Sequence, residues 1–434
     1  MTASRDLHLR RSQWAALAAR GVAFAAGLAM VPLVLGHLGK PAYGLWMLLA
    51  SLVAWLQLAD LGLSAASANA LAEANGRADL PAASAVLATA GIAVTALSVL
   101  GAAAALLAAP GLPWARIAAT DDASLLGLAP AAFSVLAVLF FIALPLQLAQ
   151  VALGAFQRAW VAHGVLAGGA VLSLAGVAVA VAAALPLPAV IAASGAGQVL
   201  ALLILWACLR WQVRGLSAAP RQASRAALGR LLPSALPFLL FGVGALATNQ
   251  LVPAVLAQVA TLATVADYAV LLSLYTGIFS LGLALSQPYY PAIREAFERR
   301  DTPWIRGALP RLLRLRMGVT GALTLPLVIF GDALVAAWTG LSLERPLGLA
   351  GWAGFLACMV LASASSALSE VLAGLDDLWF QVVLVAATAV TVIAGIVLLV
   401  PRLGVGGVFI AMAASTVLPI LVCHGRLRRR LAHA

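Results

Sequence analysis

The sequence predicts an all-α polytopic membrane protein, and its composition and hydropathy pattern carry that prediction. Hydrophobic residues make up 64% of the 434 residues, and charged residues make up only 9%. A soluble domain holds roughly 45–50% apolar and about 25% charged residues. Long apolar runs also recur along the chain, each close to the about 20 residues that a helix needs to cross the hydrocarbon core. Because backbone groups in lipid must pair within their own segment, these runs form helices rather than open strands.

About twelve such runs can be counted. The predicted spans 1 to 12 cover residues 14–36, 45–69, 82–109, 125–154, 161–184, 188–209, 233–256, 266–289, 314–337, 349–372, 380–400 and 405–423. Span 1 follows Arg10 and Arg11 and lacks a clear small-x-small cleavage site at its end. We therefore interpret it as a transmembrane helix and not as a signal peptide.

An internal repeat divides these spans into two parallel sets of six. The pattern A-x-x-E-A-x-x-R-x-D-x-P runs from Ala70 to Pro81 after span 2, and again from Ala292 to Pro303 after span 8. Because six is an even number, both copies begin on the same side of the membrane, which is typical of parallel repeats. We expect an N-terminal lobe over 1–210, a basic cytoplasmic linker over 211–232 and a C-terminal lobe over 233–434.

The net charge of +11 is spread unevenly over the two sides of the membrane. Only Lys40, Arg116, Arg345 and Arg402 fall opposite the N-terminus, and Arg20 lies inside span 1. The other arginines share the side of the N-terminus, which the positive-inside rule makes cytoplasmic. An even number of spans puts the C-terminus there as well. Topology and contact with anionic membrane lipids therefore explain the basic charge without a nucleic-acid partner.

Polar residues recur at helical spacing within several spans, and we interpret these stripes as the lining of a hydrated lumen. The alternative is hydrogen bonding between helices, worth about 0.6 kcal/mol for each contact. The candidates for substrate binding or for the lumen are Arg20, Gln57, Asp60, Asn69, Asn249, Gln250, Gln287 and Arg294. Ser64 and Ser67 extend the stripe of span 2; Ser273, Thr276 and Ser280 form that of span 8, and Ser363, Ser366 and Glu370 that of span 10.

Arg20 lies roughly 10 Å from the cytoplasmic end of span 1, at 1.5 Å per residue, and Asp60 lies at a similar depth in span 2. Two interpretations stay open. Arg20 either forms a structural ion pair with Asp60 or extends to the interface. Alternatively, Arg20 binds an anionic cargo and Asp60 holds it until the cargo arrives, since a guanidinium suits bidentate phosphate binding.

Pro32 of span 1 and Pro253 of span 7 follow a valine in equivalent spans of the two sets, which makes them candidate hinges. The alternative is that membrane helices simply tolerate proline. The three cysteines and five histidines are scattered without the spacing of a disulfide framework or a metal site. We therefore expect no cofactor and no metal.

Two stretches of sequence resemble a known family. The chain reads V-P-L-V-L-G-H-L-G-K-P-A-Y-G-L-W from Val31, and then S-L-V-A-W-L-Q-L-A-D-L-G-L-S-A-A-S-A-N-A-L-A-E-A from Ser51. The second half contains S-Q-P-Y-Y-P-A-I-R-E-A from Ser286. Taken in order and with the repeat, these stretches resemble Wzx-type polysaccharide flippases of the multidrug/oligosaccharidyl-lipid/polysaccharide (MOP) exporter superfamily.

This resemblance implies two six-helix lobes in a V, as in MATE-like and other MOP exporters, with spans 1, 2, 7 and 8 around a central cavity. It implies an undecaprenyl-pyrophosphate-linked oligosaccharide as cargo, flipped across the bacterial inner membrane by alternating access for O-antigen, capsule, exopolysaccharide or lipopolysaccharide biosynthesis. A polysaccharide polymerase and glycosyltransferases are then expected partners. Family members commonly meet the pyrophosphate with cationic side chains. Here Arg20 is placed for that role, with Arg294 and Arg316 near the cytoplasmic mouth.

A lipid-linked oligosaccharide flippase is therefore the leading hypothesis for function. The alternative is a cation-coupled multidrug exporter of the same superfamily, in which Asp60 and Glu370 couple transport to H⁺ or Na⁺. A membrane-embedded polymerase or ligase is a third hypothesis. We do not expect an enzyme, because general acid–base catalysis needs positioned titratable groups, and the outward loops are short and hold few charges.

Overall fold

A computed structural model describes residues 2–286, 289, 293, 301–374 and 379–433, and every regular element in those ranges is helical. The α-helices are α1 (Thr2–Ala54), α2 (Leu63–Gly76), α3 (Leu80–Ala108), α4 (Trp114–Ala118), α5 (Ala123–Leu146), α6 (Leu148–Ala155), α7 (Ala159–Ala182), α8 (Leu187–Gln212), α9 (Arg225–Val259), α10 (Leu262–Ser286), α11 (Thr302–Thr339), α12 (Gly348–Gly374), α13 (Trp379–Leu403) and α14 (Gly406–His433). Short 3₁₀ helices cover Trp55–Asp60, Ala109–Gly111 and Pro220–Gln222.

The all-α polytopic fold predicted from the sequence is confirmed. Within the described ranges, 10 helical stretches are long and apolar enough to cross a membrane. The first of them, Ala18–Asp60, overlaps predicted spans 1 and 2, and the non-helical angles of Gly39 (φ 73°, ψ 167°) divide α1 into two helices between them. Predicted span 7 lies within α9. The predicted spans therefore correspond to helices of the structure, although several of the predicted ends differ.

Span 2 is not one continuous helix from 45 to 69. The 3₁₀ helix ends at Asp60, and α2 begins only at Leu63, because Leu61 (φ 52°) and Gly62 (φ 77°) both adopt left-handed conformations. At Gly62 a Cβ atom would overlap the carbonyl oxygen of Ala235. Two constraints therefore require glycine at position 62: its left-handed backbone angle and the close approach of α9.

The Asp-x-Pro ending of the internal repeat is a helix start in both copies. Asp79 precedes α3, and its Oδ1 accepts a bond of 2.9 Å from the backbone N–H of Ala82. Asp301 precedes α11, and its Oδ1 accepts a bond of 3.1 Å from the backbone N–H of Trp304. An aspartate at the N-cap followed by proline in the first turn is a strong start signal. This start signal explains why α11 begins at Thr302. The predicted start, near residue 314, was wrong.

The chain divides into two compact units. The N-terminal unit comprises Met1–Ala42, Leu49–Arg116 and Thr120–Val243, and the C-terminal unit comprises Tyr43–Leu48, Ile117–Ala119 and Gly244–Ala434. The predicted lobes, 1–210 and 233–434 with a linker at 211–232, stay a prediction. The structure has α8 running to Gln212 and α9 starting at Arg225.

In the N-terminal unit, α7 and α8 approach each other through small residues. A Cβ atom on Gly197 of α8 would overlap the backbone nitrogen of Ser173 of α7. A Cβ atom on Gly169 would lie 2.5 Å from the Cβ of Ala201, and one on Gly176 would lie 3.0 Å from the carbonyl oxygen of Ala193. Small residues at four-residue spacing let helix backbones pack closely in membranes.

In the C-terminal unit, Asp332 of α11 caps the start of α12. Its Oδ1 accepts a bond of 3.1 Å from the backbone N–H of Leu347, and its Oδ2 accepts another of 3.1 Å from that of Gly348. The pair satisfies donors that would otherwise be unpaired at a helix N-terminus. A carboxylate there also interacts favourably with the helix dipole. Asp332 therefore joins two consecutive helices at their connecting loop.

Candidate functional site

A polar stripe runs along α11 and ends in a buried arginine. Arg316, Thr320 and Thr324 are separated by one helical turn each, and all three are fully buried (0% exposed). The threonine hydroxyls donate to the carbonyl oxygens one turn earlier, over 2.8 Å to Arg316 and 2.7 Å to Thr320. The threonines are thus satisfied by their own helix. The Arg316 guanidinium is left as the group that must find partners elsewhere.

Those partners lie on α12. Arg316 Nη1 donates to Glu370 Oε1 over 2.8 Å, and Arg316 Nη2 donates to Ser366 Oγ over 3.2 Å. Ser366 Oγ in turn donates to Glu370 Oε1 over 2.9 Å. Ser366 and Glu370 are one turn apart, so both face α11. A charge-assisted network of this kind is strengthened by its low-dielectric surroundings.

The network is asymmetric in exposure and in hydrogen bonding. The Arg316 side chain is 0% exposed, whereas that of Glu370 is 32% exposed. Within the described part of the chain, Arg316 Nε has no hydrogen-bond partner, and the Cζ atom lies 5.7 Å from the centroid of the Phe279 ring. A buried guanidinium stays charged in proteins. Among these described residues, Arg316 therefore keeps one unused donor, while Glu370 offers an accessible face.

Arg316 marks the boundary between two different halves of α11. The helix has 38 residues and is roughly 57 Å long at 1.5 Å per residue, well beyond the about 30 Å of the hydrocarbon core. Arg306, Arg311 and Arg314 precede Arg316, and the stretch from Met317 to Gly331 carries no charge. Glu370 lies one turn before Gly374, the last described residue of α12. The ion pair therefore sits where the basic half of α11 meets its apolar half.

In the N-terminal unit, Asp60 acts as a cap. Its Oδ2 accepts a bond of 3.1 Å from the backbone N–H of Ser64, and its Oδ1 accepts a bond of 3.0 Å from the Ser64 hydroxyl. The break at Leu61 and Gly62 brings the carboxylate back over the first turn of α2. There it satisfies a backbone donor and faces the positive end of the helix dipole.

The other candidates in this unit lie elsewhere on its surface. Arg20, Gln57 and Asn69 have exposed side chains. Arg20 lies close enough to His163 of α7 for their charges to interact. Among the residues that the structure describes, Arg20 forms no ion pair with Asp60, whose bonds come from Ser64. The structural-pair interpretation of Arg20 is therefore not what this conformation contains.

The remaining candidates belong to the second half of the chain. Gln250 is half-buried on α9, and Pro253 is buried there. The side chain of Asn249, and Gln287 and Arg294 altogether, lie outside the described residues. Pro32 lies inside α1, whose interruption is at Gly39. Both hinge assignments stay predictions.

The hydroxyl groups in the stripe predicted for span 8 donate hydrogen bonds to their own helix. Ser273 and Thr276 donate to the carbonyl oxygens of Ala269 and Leu272, each over 2.9 Å, and Ser280 donates to that of Gly277 over 2.8 Å. A hydroxyl that donates to its own backbone still has acceptor capacity. The lumen interpretation therefore stays a prediction.

Sequence reasoning missed Arg316 as the partner of Glu370. The family resemblance implies a position near the cytoplasmic mouth for Arg316, and it implies no contact with Glu370. A signal was available: Arg316, Thr320 and Thr324 repeat at the spacing of one helix face. The Asp301-x-Pro303 start signal would have placed that face well inside α11.

A second polar cluster was also missed. It surrounds a cavity of about 260 Å³ in the C-terminal unit. Glu344 accepts bonds from the hydroxyls of Thr261 (2.8 Å) and Thr264 (2.6 Å), and its backbone N–H donates to Asp267 Oδ2 over 2.6 Å. These bonds attach the loop before α12 to the beginning of α10, from Thr261 to Asp267. In the described part of the chain, no three His, Cys, Asp or Glu residues are grouped as a metal site would need.

The chain is similar in fold to solved transporters. A multidrug resistance MATE family transporter of the MOP superfamily, in an inward-facing conformation, matches with a TM-score of 0.70 at 18% identity, over 94% of this chain and 98% of that chain. The MATE multidrug transporter DinF-BH, solved as a complex, matches at 0.69 and 15% identity, over 97% and 95%. The lipid II flippase MurJ, in an inward closed conformation, matches at 0.68 and 10% identity, over 95% and 87%.

No protein-family model matches the sequence, and no curated protein matches it. At these identities the structural similarity establishes the fold and nothing finer. The chain therefore has the fold of MOP superfamily transporters, which is shared by drug exporters and by a lipid flippase.

Proposed function

We propose that this protein is a flippase for undecaprenyl-pyrophosphate-linked oligosaccharides in the bacterial inner membrane, which works by alternating access and supplies a polysaccharide pathway. The signature stretches after Val31 and Ser51 support the proposal, as does the fold shared with a lipid II flippase. A polysaccharide polymerase and glycosyltransferases are the proposed partners in that pathway. We propose transport alone, with no catalytic activity of its own and no cofactor.

One observation favours an anionic cargo. Four carboxylates in the membrane helices, Asp60, Asp267, Asp332 and Glu370, each accept hydrogen bonds from the protein. A cationic drug would need a carboxylate that is available to it. In contrast, the exposed guanidinium of Arg20 forms no pair with Asp60, and a guanidinium suits an anionic group such as a phosphate.

The cargo contacts follow from the exposed polar residues. Arg20 is proposed to bind the pyrophosphate, because its side chain is exposed and is not held by Asp60. Gln57 and Asn69 are exposed amides on the segments that follow α1 and would hydrogen-bond sugar hydroxyls. Asn249, Gln250, Gln287 and Arg294 are proposed as the corresponding groups of the second repeat. Pro32 and Pro253 are the proposed hinges.

The test is a reconstitution with labelled cargo. Proteoliposomes would hold the purified full chain and a fluorescent undecaprenyl-pyrophosphate-linked oligosaccharide, and an added glycosidase would report the fraction in the outer leaflet. Accessibility should rise with time for the wild type and fall strongly for Arg20→Gln. Arg429→Gln, which changes an exposed arginine near the end of α14, is the matched control and should behave as wild type. Wild-type protein that leaves the label inaccessible would overturn the proposal.

A cation-coupled multidrug exporter is the second candidate, and one observation favours it. Glu370 is 32% exposed although it is paired with buried Arg316, so a proton or Na⁺ could compete for its open face. Asp60 is the other proposed coupling residue. Efflux of a cationic dye that is lost in Glu370→Gln and Asp60→Asn, together with no movement of the labelled oligosaccharide, would decide for the exporter.

A further inference from the structure

A groove lies between the beginning of α11 and the end of α14, both in the C-terminal unit. Leu309 and Leu313 line it from α11, and Leu427 lines it from α14. Arg306 lies on the α11 side, and His424 and Arg428 lie on the α14 side. Its volume is about 370 Å³, within the range of roughly 300–1,000 Å³ that small-molecule sites occupy. We call it the basic groove.

The floor of the basic groove is apolar and well packed. Leu427 is 1% exposed and belongs to a buried cluster with Ile305, Leu312 and Cys423. Leu309 and Leu313 pack against the same cluster while they remain half-buried at the groove surface. The floor is therefore held by the unit's own core, and the two leucines offer an apolar strip beside it.

The rim of the basic groove is cationic. Arg306 and Arg428 are both exposed, and His424 is half-buried between the apolar residues. Arg314 lies next to the groove, since its Nε donates over 3.2 Å to the carbonyl oxygen of Pro310, a lining residue. The bond adds a guanidinium near the rim, and it occupies a carbonyl oxygen that would otherwise repel an anion. No acidic residue lines the groove in the described part of the chain.

The position of the basic groove along α11 places it near the membrane surface. The groove precedes Arg316, so it lies in the basic half of α11, next to the half that is apolar enough for the hydrocarbon core. A ligand there would meet arginines at the membrane surface and leucines towards the lipid. Basic pockets between helix ends on the cytoplasmic side are suited to anionic lipid head groups, and the charge distribution of this sequence predicts that side for the groove.

We propose that the basic groove binds one anionic phospholipid, with its phosphate between Arg306 and Arg428 and the upper part of an acyl chain against Leu309 and Leu313. The proposal does not rest on what the protein transports. It predicts a resident lipid at a defined place, whereas loosely held boundary lipid would show no dependence on particular arginines.

The test is native mass spectrometry of the purified full chain, titrated with phosphatidylglycerol or with phosphatidylcholine. Phosphatidylglycerol should bind in preference, and the double variant Arg306→Gln/Arg428→Gln should weaken that binding by roughly tenfold or more, given about 1 kcal/mol for each arginine near a membrane surface. The matched control is Arg311→Gln/Arg429→Gln, which removes two exposed arginines of the same helices that do not line the groove. It should keep the wild-type affinity.

Three results would overturn the proposal. Equal binding of the two lipids by the wild-type chain would do so without any variant, so the test holds even if the double variant does not fold. Equal loss of binding in both double variants would show that lipid binding depends on the net positive charge of the protein and not on the arginines of the groove. Displacement of phosphatidylglycerol by the same concentration of inorganic phosphate would make the groove a soluble-anion site and not a lipid site.

Discussion

The ion pair between Arg316 and Glu370 gives the first prediction. Glu370→Gln removes the partner of a fully buried guanidinium, so the folded state loses stability. Breaking a fully buried pair costs about 3–5 kcal/mol, but a third of Glu370 is exposed, so we expect on the order of 2 kcal/mol. Thermal unfolding of the purified protein in detergent measures the loss. Ser366→Ala, which keeps both charges, should cost less.

A rescue experiment separates this structural effect from a transport effect. The double variant Arg316→Met/Glu370→Gln removes both charges, and its unfolding temperature should recover most of what Glu370→Gln loses. If stability recovers and transport does not, the charges of the pair have a role in transport beyond stability. A double variant as unstable as the single one would show that the pair is not what stabilises this region.

Arg20 and Asp60 should respond differently to substitution. Arg20→Ala removes an exposed side chain that forms no pair with Asp60, so we expect unchanged unfolding temperature and reduced transport. Asp60→Ala removes a cap from α2 and should cost about 1 kcal/mol of stability. The two variants are compared by thermal unfolding and by the flipping assay. An equal loss of folded protein in both would make Arg20 structural.

At the scale of residues, the sequence identified most of the polar groups but not the contacts that they make. Asp60 and Ser64 are both members of the predicted stripe of span 2, but periodicity could not reveal the backbone break that joins them, since it depends on the left-handed angles of Leu61 and Gly62. Glu370 and Ser366 were found in the same way. Their partner Arg316 lies on another helix, and pairing between helices is a tertiary property that spacing within one helix does not contain.

At the scale of elements, the packing of α7 against α8 gives a prediction. Gly197→Ala would place a Cβ atom on top of the backbone nitrogen of Ser173, and a backbone atom cannot move aside alone. Overpacking of this kind costs about 1–3 kcal/mol. Gly168→Ala on α7 is the control, since nothing lies within 4 Å of its added Cβ. Thermal unfolding should separate the two variants, and equal stability would contradict the close approach.

The helices themselves followed from hydropathy, and their ends did not. Apolar runs locate the part of a helix that lies in lipid, whereas α11 and α14 continue beyond it as arginine-rich segments that hydropathy cannot recognise as helical. The ends depend on caps. The D-x-P pattern was found as a repeat, and only the structure assigns it to the starts of α3 and α11.

At the scale of the whole molecule, the arginine distribution predicts both termini in the cytoplasm. Alkaline phosphatase fused after residue 434 should therefore be inactive, and a cytoplasmic reporter at the same place should be active. Replacing Arg426, Arg428 and Arg429 with glutamine should change lipid contact or topology and leave the turnover of correctly inserted protein intact. Activity of the phosphatase fusion would reverse the orientation.

The fold class could be predicted because composition alone excludes a soluble core, and because the two copies of one pattern imply an even division of the helices. Composition and the repeat do not predict the cargo. The solved structures with this fold include drug exporters and a lipid flippase, so similarity of fold carries no information on cargo.

Asp332 has a consequence for the order in which the chain is inserted. Its partners Leu347 and Gly348 follow within 16 residues, so this contact closes a short loop at little entropic cost as soon as α12 begins to leave the translocon. Glu370 emerges later, at the far end of α12. Before Glu370 is inserted, Arg316 lacks the carboxylate that pairs with it in the folded protein. A nascent chain truncated between Gly348 and Glu370 should therefore hold α11 less firmly in the bilayer than one that is a single turn longer than Glu370.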